Sequence, residues 1–461
     1  MKVKVQIIIE SGINDVPVVE EIACLQRDSL LPDSLGITLQ EGKDILKNLQ
    51  KSVVISQAEE YISQERFCRK CGEQRFLKGK NKITYRTPFG KLKIISPRLY
   101  NCACNPSKGK SFSPLAEKLP ERTSPELLYL QSKWSSLMSY GLTVDLLEEI
   151  LPLNTNVASA LSNTQKVAER IENELKDEKI MFIEGCESEW NKLPEPEEPL
   201  AVGIDGGYIR GRDKENRKAG CFEVIVGKSM QEHRENKRFG FVNNYDKKPK
   251  RRLYEMLMSQ GLQMNQLITF LSDGGDTVRD LQLYMSPNAE HILDWFHITM
   301  RITVMKQMAK GVSKQEILKD IEDDIESVKW YLWHGNVFCA LQLLDDMEDD
   351  LYCDKNNINI QKLQKAVSEF HGYISNNRNF IPNYQDRYYY GECISTSFVE
   401  STVNEVISKR MCKKQQMRWT QKGAHLLLQV RTKTLNNELR GTFQRWYPEF
   451  QTAEYVEKVA A

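Results

Sequence analysis

Apolar positions recur at two different periods along this chain, and the changes of period divide it into segments. Val3–Ile9 is a short, dense apolar run that predicts a strand. In EEIACLQRDSL (20–30) and LQEGKDILKNLQKSVV (39–54) the apolar residues fall three and four apart, which predicts helices. Residues 67–104 switch to short alternating runs on either side of a Pro-Phe-Gly turn, a hairpin pattern. PSKGKSFS (106–113) has no hydrophobic period and reads as a linker.

The helical period returns in SPELLYLQSKWSSLMSYG, TVDLLEEILP and SNTQKVAERIENELKDE, between residues 124 and 178. Short helices broken at Gly141 and Pro152 fit a helix-turn-helix arrangement, with Asn163 and Thr164 preceding a recognition helix. A three-helix packing unit without DNA contact fits the pattern equally. The Pro/Glu-rich KLPEPEEPL (192–200) marks a boundary. Beyond it, strands (LAVGID, CFEVIVGK, LITFLSD, EHIL) alternate with helices, which predicts an α/β sheet with parallel members. Residues 314–377 are helical and acidic, an insertion before the closing helices at 397–411 and 421–440. The expected organisation is an N-terminal mixed region (1–65), a zinc ribbon (66–106), a helix-turn-helix-like region (114–191), an α/β domain (197–445) with a helical insertion over about 302–390, and a tail (446–461).

Composition narrows the class. With 461 residues, 40% hydrophobic and 28% charged, the chain is that of a multidomain globular protein. No apolar run reaches the ~18–20 residues of a membrane span. MKVKVQIIIESG has no small-residue cleavage site and reads as a strand, so the expectation is a cytoplasmic, nucleoid-associated protein without a signal peptide. The net charge of +1 hides an asymmetry: 14 Lys/Arg against 7 Asp/Glu over 205–252, 10 against 2 over 404–445, and 4 against 12 over 314–355. Two basic blocks around candidate carboxylates suggest a polyanion partner.

Those carboxylates are Asp205 and Asp273, each ending an apolar run and each followed by Gly-Gly. Ligands gather at strand tips in an open α/β sheet. Two adjacent carboxylates repel unless a cation bridges them, and their hard oxygens suit Mg²⁺ or Mn²⁺. A single strand-end Asp-Gly is usually a turn; the matched pair is what suggests metal. Asp276 competes for the second position, but strand termination favours Asp273. Glu400, in SFVESTVNEVISKR, is the candidate third ligand, with Asn404 on the same helix face. Spacing alone would make it a solvated glutamate; the basic stretch Lys409–Arg418 and Trp419 beside it favour a ligand. Arg210, Arg212, Lys409, Arg410, Lys413, Lys414, Arg418 and Trp419 are the candidate DNA contacts. Asp294 and His297 form D-x-x-H just after a strand and take a supporting role.

Cys68-x-x-Cys71 and Cys102-x-Cys104 supply four thiolates in two knuckles, the donor set of a structural Zn²⁺ with ~2.3 Å Zn–S bonds. A redox C-x-x-C is the competitor, but no thioredoxin-like βαβ pattern surrounds Cys68.

Taken in order, the two cysteine pairs, VGIDGGYIRGR, FLSDGGDTVRDL, ILDWFHITMR, the helical insertion and SFVESTVNEVISKRM with MRWTQKGAHLLLQVR resemble the ISKra-type insertion-sequence transposases, whose catalytic layout is similar to that of Mutator-like elements. The resemblance covers about residues 60–445. It implies a ribonuclease-H-like core with Asp205, Asp273 and Glu400 as the acidic triad, holding two Mg²⁺ or Mn²⁺ ions. It also implies Asp294-x-x-His297 as a flanking element, DNA ends and target DNA as partners, and at least a dimer on paired ends. Two rivals stay open: a ribonuclease-H-like nuclease without strand transfer, and a non-enzymatic zinc-ribbon DNA-binding protein derived from a transposase.

Overall fold

The computed structural model describes residues 1–10, 16–104, 110–178, 186–194, 196, 200–212, 220–231, 234–285, 289–311, 315–352, 358–395, 401–412 and 417–450. It divides into two compact units, Met1–Ala168 with Asn437–Ala461, and Glu169–Asn436. The division falls within the helix Val157–Glu174 (α5).

The first unit opens with an antiparallel pair, β1 (Lys2–Ile9) and β2 (Val18–Gln26). Residues 20–26, expected as helix, are strand. Strand β2 offers β1 the partner that the local helical spacing could not reveal, so pairing overrides propensity. Helix α1 (Leu39–Glu65) follows as expected and starts on a capping box. Thr38 Oγ1 accepts from the Glu41 amide, the Glu41 carboxylate accepts from the Thr38 amide, and Arg27 forks onto that carboxylate.

Strands β3 (Leu77–Thr87) and β4 (Gly90–Tyr100) form the hairpin read from the sequence. Ser111–Phe112 (β5), expected as linker, adds to it as a short third strand, while 105–109 lie outside the described residues. Ala58 of α1, Ile83, Leu92, Ile94 and Leu115 make the core beneath this sheet. After the short helix α2 (Pro114–Lys118), helices α3 (Pro125–Leu137) and α4 (Tyr140–Ile150) match their patterns. Helix α5 starts at Val157, earlier than expected, so Asn163 and Thr164 lie inside it. Both are buried, and Asn163 donates to Gln131 of α3 at 2.7 Å. They are packing residues rather than the lead-in to a recognition helix. The C-terminal segment is also packed: Phe443 and Phe450 sit on Tyr129 at ring-centroid distances of 5.4 and 5.5 Å. Residues 451–461 lie outside the described residues.

The second unit is built on a five-stranded mixed sheet of order β10-β9-β6-β7-β8. Strands β6 (Leu200–Arg210), β7 (Cys221–Met230) and β8 (Lys237–Val242) form an antiparallel meander. Strands β9 (Ile268–Ser272) and β10 (Glu290–Leu293) add in parallel on the other side of β6. Helices α7 (Pro249–Met258) and α8 (Asp276–Leu283) supply the crossovers and bury Leu253, Leu257 and Leu281 against Val202, Ile204 and Phe270.

The opposite face of β9 and β10 carries a second core. Helix α9 (Trp295–Ala309) leads into α10 (Gln315–Trp333), α11 (Val337–Tyr352) and α12 (Ile358–Asn377), the insertion expected from the acidic helical stretch. Their apolar stripes, including Ile325, Leu344, Val367 and Phe370, close on Leu271 and Leu293. Two closing elements complete the unit: a π-helical segment, Asn404–Cys412, and the helix Gln421–Leu435. No described helix is long and apolar enough to cross a membrane.

Candidate functional site

Strand alternation decides which β6 residues can act. Leu200, Val202 and Ile204 point into the core with α7 and α8, so Gly203, Asp205 and Gly207 point to the other face. Asp205 does not end its strand as the sequence suggested. Strand β6 continues to Arg210, paired with β7 throughout, and Asp205 lies opposite Val226. What ends near Asp205 is the parallel pairing with β9, last seen at Gly203–Leu271.

Continuing that register places Asp205 level with Asp273, and the β9–β10 register, which pairs Ser272 with Leu293, places Asp273 level with Asp294. Three aspartates therefore stand in one row across three neighbouring parallel strands. The Asp294 amide, donating to the Ser272 carbonyl at 2.9 Å, carries the row one bond past the end of β10.

Each is held by local chemistry. Asp205 Oδ1 accepts from the Gly206 amide at 2.7 Å. Burial pushes its pKa above the usual carboxylate value; His297 and the Gly206 amide oppose this, while the charges of Asp273 and Asp294 add to it. Asp273 is exposed and accepts from the Gly275 amide at 3.1 Å. Asp294 is fully buried and caps α9, accepting from the Phe296 amide at 2.9 Å and from His297 Nδ1 at 2.7 Å. Burial alone would lower the His297 pKa, but the Asp294 hydrogen bond and the charges of Asp294, Asp205 and Asp273 outweigh it and raise it. His297 thus faces the row of carboxylates, whose charges favour its protonated form.

The turn after Asp273 explains its glycines. Gly274 has φ +87°, and its amide donates to Ser272 Oγ at 3.1 Å. Ser272 Oγ pairs in turn with His291 Nε2 at 2.9 Å, and burial, reinforced by Arg279, pulls the His291 pKa down to about 4. A Cβ on Gly274 would run into the Asn377 side chain at the end of α12. Gly274→Ala is expected to cost about 1–3 kcal/mol from the combined backbone and steric strain, read as a lower denaturant midpoint; an unchanged midpoint would remove this account of the turn.

Gly207 serves a different purpose from a turn. Its Cα faces the π-helical segment so closely that a Cβ would lie 2.9 Å from Ile407 Cδ1 and 3.3 Å from Val403 Cγ1. The segment just after residue 400 therefore rests on the Asp205 face of β6. Glu400 itself lies outside the described residues, as do Lys413 and Lys414. Asn404 is half-buried at the start of the segment. Arg431 donates to the Val406 carbonyl at 2.8 Å and to the Glu405 carbonyl, tying the segment to the helix Gln421–Leu435. Such i→i+5 turns are rare and concentrate at functional sites.

The candidate DNA contacts separate by exposure. Arg210, Arg212, Lys409 and Arg418 are exposed. Arg410 and Trp419, expected on the DNA-facing surface, are instead 0% and 2% exposed. Arg410 lies over the Trp419 ring at 5.2 Å, and Trp419 bridges Gly211 at the end of β6. Both are packing residues: the backbone pairing of Trp419 with Arg210 and Arg212 draws its ring inward.

A buried polar network that pattern reading missed holds the far side of this sheet. Arg252 of α7 donates to Glu172 Oε1 and Oε2 at 3.0 and 3.1 Å, to Asp246 at 2.9 Å and to Gln429 at 2.5 Å. His425 Nε2 lies 3.3 Å from Glu172. Glu172, Asp246 and His425 have the donor types of a metal site, but the Arg252 guanidinium already provides the cation that joins the two carboxylates. Burial would raise the Glu172 pKa; His425 and Arg252 overcome it and hold the carboxyl at about 2. A folded pKa below the unfolded ~4.3 means the interaction stabilises at neutral pH and fades as pH falls from about 4.5 towards about 2. Glu172→Gln should accordingly cost about 3 kcal/mol at pH 7, with the gap from wild type closing near pH 2–3 in paired denaturation curves. A gap independent of pH would show that charge is not what Glu172 contributes.

In the first unit, the four cysteines do come together. The Sγ atoms of Cys68, Cys71, Cys102 and Cys104 all lie within 4.8 Å of one another. The Cys68–Cys104, Cys68–Cys102 and Cys102–Cys104 separations are 3.4, 3.1 and 2.8 Å, too long for disulfides. Cys68 heads a tight turn closed by its carbonyl accepting from the Gly72 amide at 2.8 Å. The Cys71 amide, the Cys102 thiol and the Lys70 amide pull its pKa down to about 5. The Cys102 and Cys68 sulfurs push that of Cys104 up. Four thiols so close cannot all ionise without a cation, and the set fits tetrahedral Zn²⁺. Arg69 and Arg75, basic residues beside the knuckle, are paired with Glu65.

No family model matches this sequence, and neither does any curated protein.

Proposed function

We propose that this chain is a DNA transposase with a ribonuclease-H-like catalytic core, in which Asp205, Asp273 and Glu400 bind two Mg²⁺ or Mn²⁺ ions. The observation that carries the reading is the row Asp205–Asp273–Asp294 across β6, β9 and β10. Carboxylates collect in this way where a cation and a phosphate are to be held. The antiparallel meander extended by parallel crossover strands supports the reading, as does the packing of Val403 and Ile407 against Gly207 on the Asp205 face of β6.

Bound at these carboxylates, the ions would activate the attacking hydroxyl and stabilise the leaving 3′ oxygen. The remaining work belongs to the chain. Asp205, on a strand paired on both sides, provides a fixed ligand, while exposed Asp273 provides an accessible one. Asp294 stays out of solvent and orients His297, whose ring can meet a non-bridging phosphate oxygen beside the row. Arg210, Arg212, Lys409 and Arg418 supply salt-sensitive backbone contacts.

The test supplies purified protein with Mg²⁺, DNA bearing the ends that flank its reading frame, pre-cleaved ends and a target plasmid. Joined products are expected. Cleavage without joining would assign a nuclease instead, and binding without cleavage a DNA-binding protein.

A further inference from the structure

The first strand of the protein is paired on one side only. Among the described residues β1 pairs with β2 and with no other strand. Met1 and Arg27 exchange both backbone hydrogen bonds, at 2.6 and 2.8 Å, which fixes the alternation: odd residues of β1 direct their amides and carbonyls towards β2, and even residues direct theirs away. The bulge opposite Val5 and Gln6 places its extra residue, Ile22, on β2, so the alternation along β1 persists. Among the described residues, Lys2, Lys4, Gln6 and Ile8 therefore present unpaired backbone groups along an open edge. Natural edges are usually blunted by charged side chains, lysine above all, by proline, by a bulge or by inward-pointing charge; on β1 only Lys2 and Lys4 belong to this set. Strand β1 has no proline, its odd side chains Val5, Ile7 and Ile9 are half-buried, and Ile8 is 67% exposed.

The sequence of this edge is complementary to itself. In an antiparallel pairing about a two-fold axis through Gln6, Lys2 faces the second copy's Glu10, and Lys4 faces the second copy's Ile8. On the other face Val3 meets Ile9 and Val5 meets Ile7. Opposite charges meet at both ends, the lysine methylenes cover the exposed isoleucine, and an apolar row runs down the other face, exposed at Val3 and half-buried at Val5, Ile7 and Ile9. This register uses the whole strand and the residue that follows it, Glu10. We propose that β1 is a homodimerisation strand, pairing with β1 of a second copy to make a continuous four-stranded antiparallel sheet of order β2-β1-β1-β2. The inference rests on the first unit alone and does not depend on the DNA chemistry assigned to the second.

Sedimentation velocity of the full chain without DNA, across roughly 1–100 µM, tests it. Wild type is expected to show a concentration-dependent monomer–dimer equilibrium. Lys2→Glu and Glu10→Lys each create two like-charge contacts and should weaken the dimer roughly tenfold, whereas the Lys2→Glu/Glu10→Lys double variant should restore it. Gln6→Pro removes a donor that points away from β2, so it should leave the hairpin folded and the protein monomeric; circular dichroism checks the fold. A monomeric wild type, or a dimer indifferent to the single charge reversals and to Gln6→Pro, would overturn the proposal.

Discussion

Asp205→Asn is expected to lower Mg²⁺-dependent strand cleavage by at least about a thousandfold while leaving the melting temperature and DNA affinity close to wild type. Asp273→Asn and Glu400→Gln should behave alike. The magnitude follows from the proposed role: a carboxylate holding the ions would supply transition-state stabilisation that no neighbour can replace. Folding should survive because removing charge from the crowded row relieves repulsion; burial and the neighbouring aspartates already disfavour ionised Asp205. Asp294→Asn should differ. Asp294 is buried and fixes the His297 ring and the start of α9, so its loss is expected to reduce both stability and rate. Gel assays on labelled ends, with thermal melts of each variant, make the distinction. Cleavage near wild-type level by Asp205→Asn would end the metal assignment.

The second large effect concerns zinc. Purified under reducing conditions, the protein is expected to carry one zinc per chain by elemental analysis, and Cys68→Ser or Cys102→Ser should abolish it. Zinc–thiolate binding in small modules supplies on the order of 10–16 kcal/mol, far more than the short turns around Cys68 and Cys102 gain from packing. Loss of metal should therefore open residues 66–76 and 100–104 to hydrogen exchange. The hairpin β3–β4 rests on Ala58, Ile83, Leu92 and Ile94 and should stay protected. Zinc retained by both variants would refute the site; protection lost throughout β3 and β4 would show that the ribbon has no core of its own.

How much of this was legible beforehand depended on whether the information is local. The Asp-Gly-Gly pairs, the D-x-x-H and the cysteine spacing were readable because each is a short pattern with a direct chemical meaning. Helix α1 was readable from its period. The alignment of Asp205, Asp273 and Asp294 was not, because register belongs to strand pairing and no single strand encodes it. Strand β2 was misread for the same reason: EEIACLQ has helical spacing, and only β1 makes it a strand. Arg410 and Trp419 looked like surface residues in a basic stretch, yet the bridge from Trp419 to Gly211 turns that stretch inward. The Glu172–Arg252–His425 network draws on three distant segments and leaves no local mark; the only hint was the i, i+4 pair His425 and Gln429 on one helix.

The contact at Gly207 also bears on the order of events during synthesis. Strand β6 emerges from the ribosome early, and the segment that lies on it, Val403–Ile407, emerges only after β7–β10 and the whole helical insertion. A nascent chain stalled between residues 294 and 400 would carry Asp205, Asp273, Arg210 and Arg212, but neither Glu400 nor Lys409 and Arg418. On the proposed reading such a product would lack cleavage activity, because the face of β6 at Gly207 would be left without the segment that rests on it.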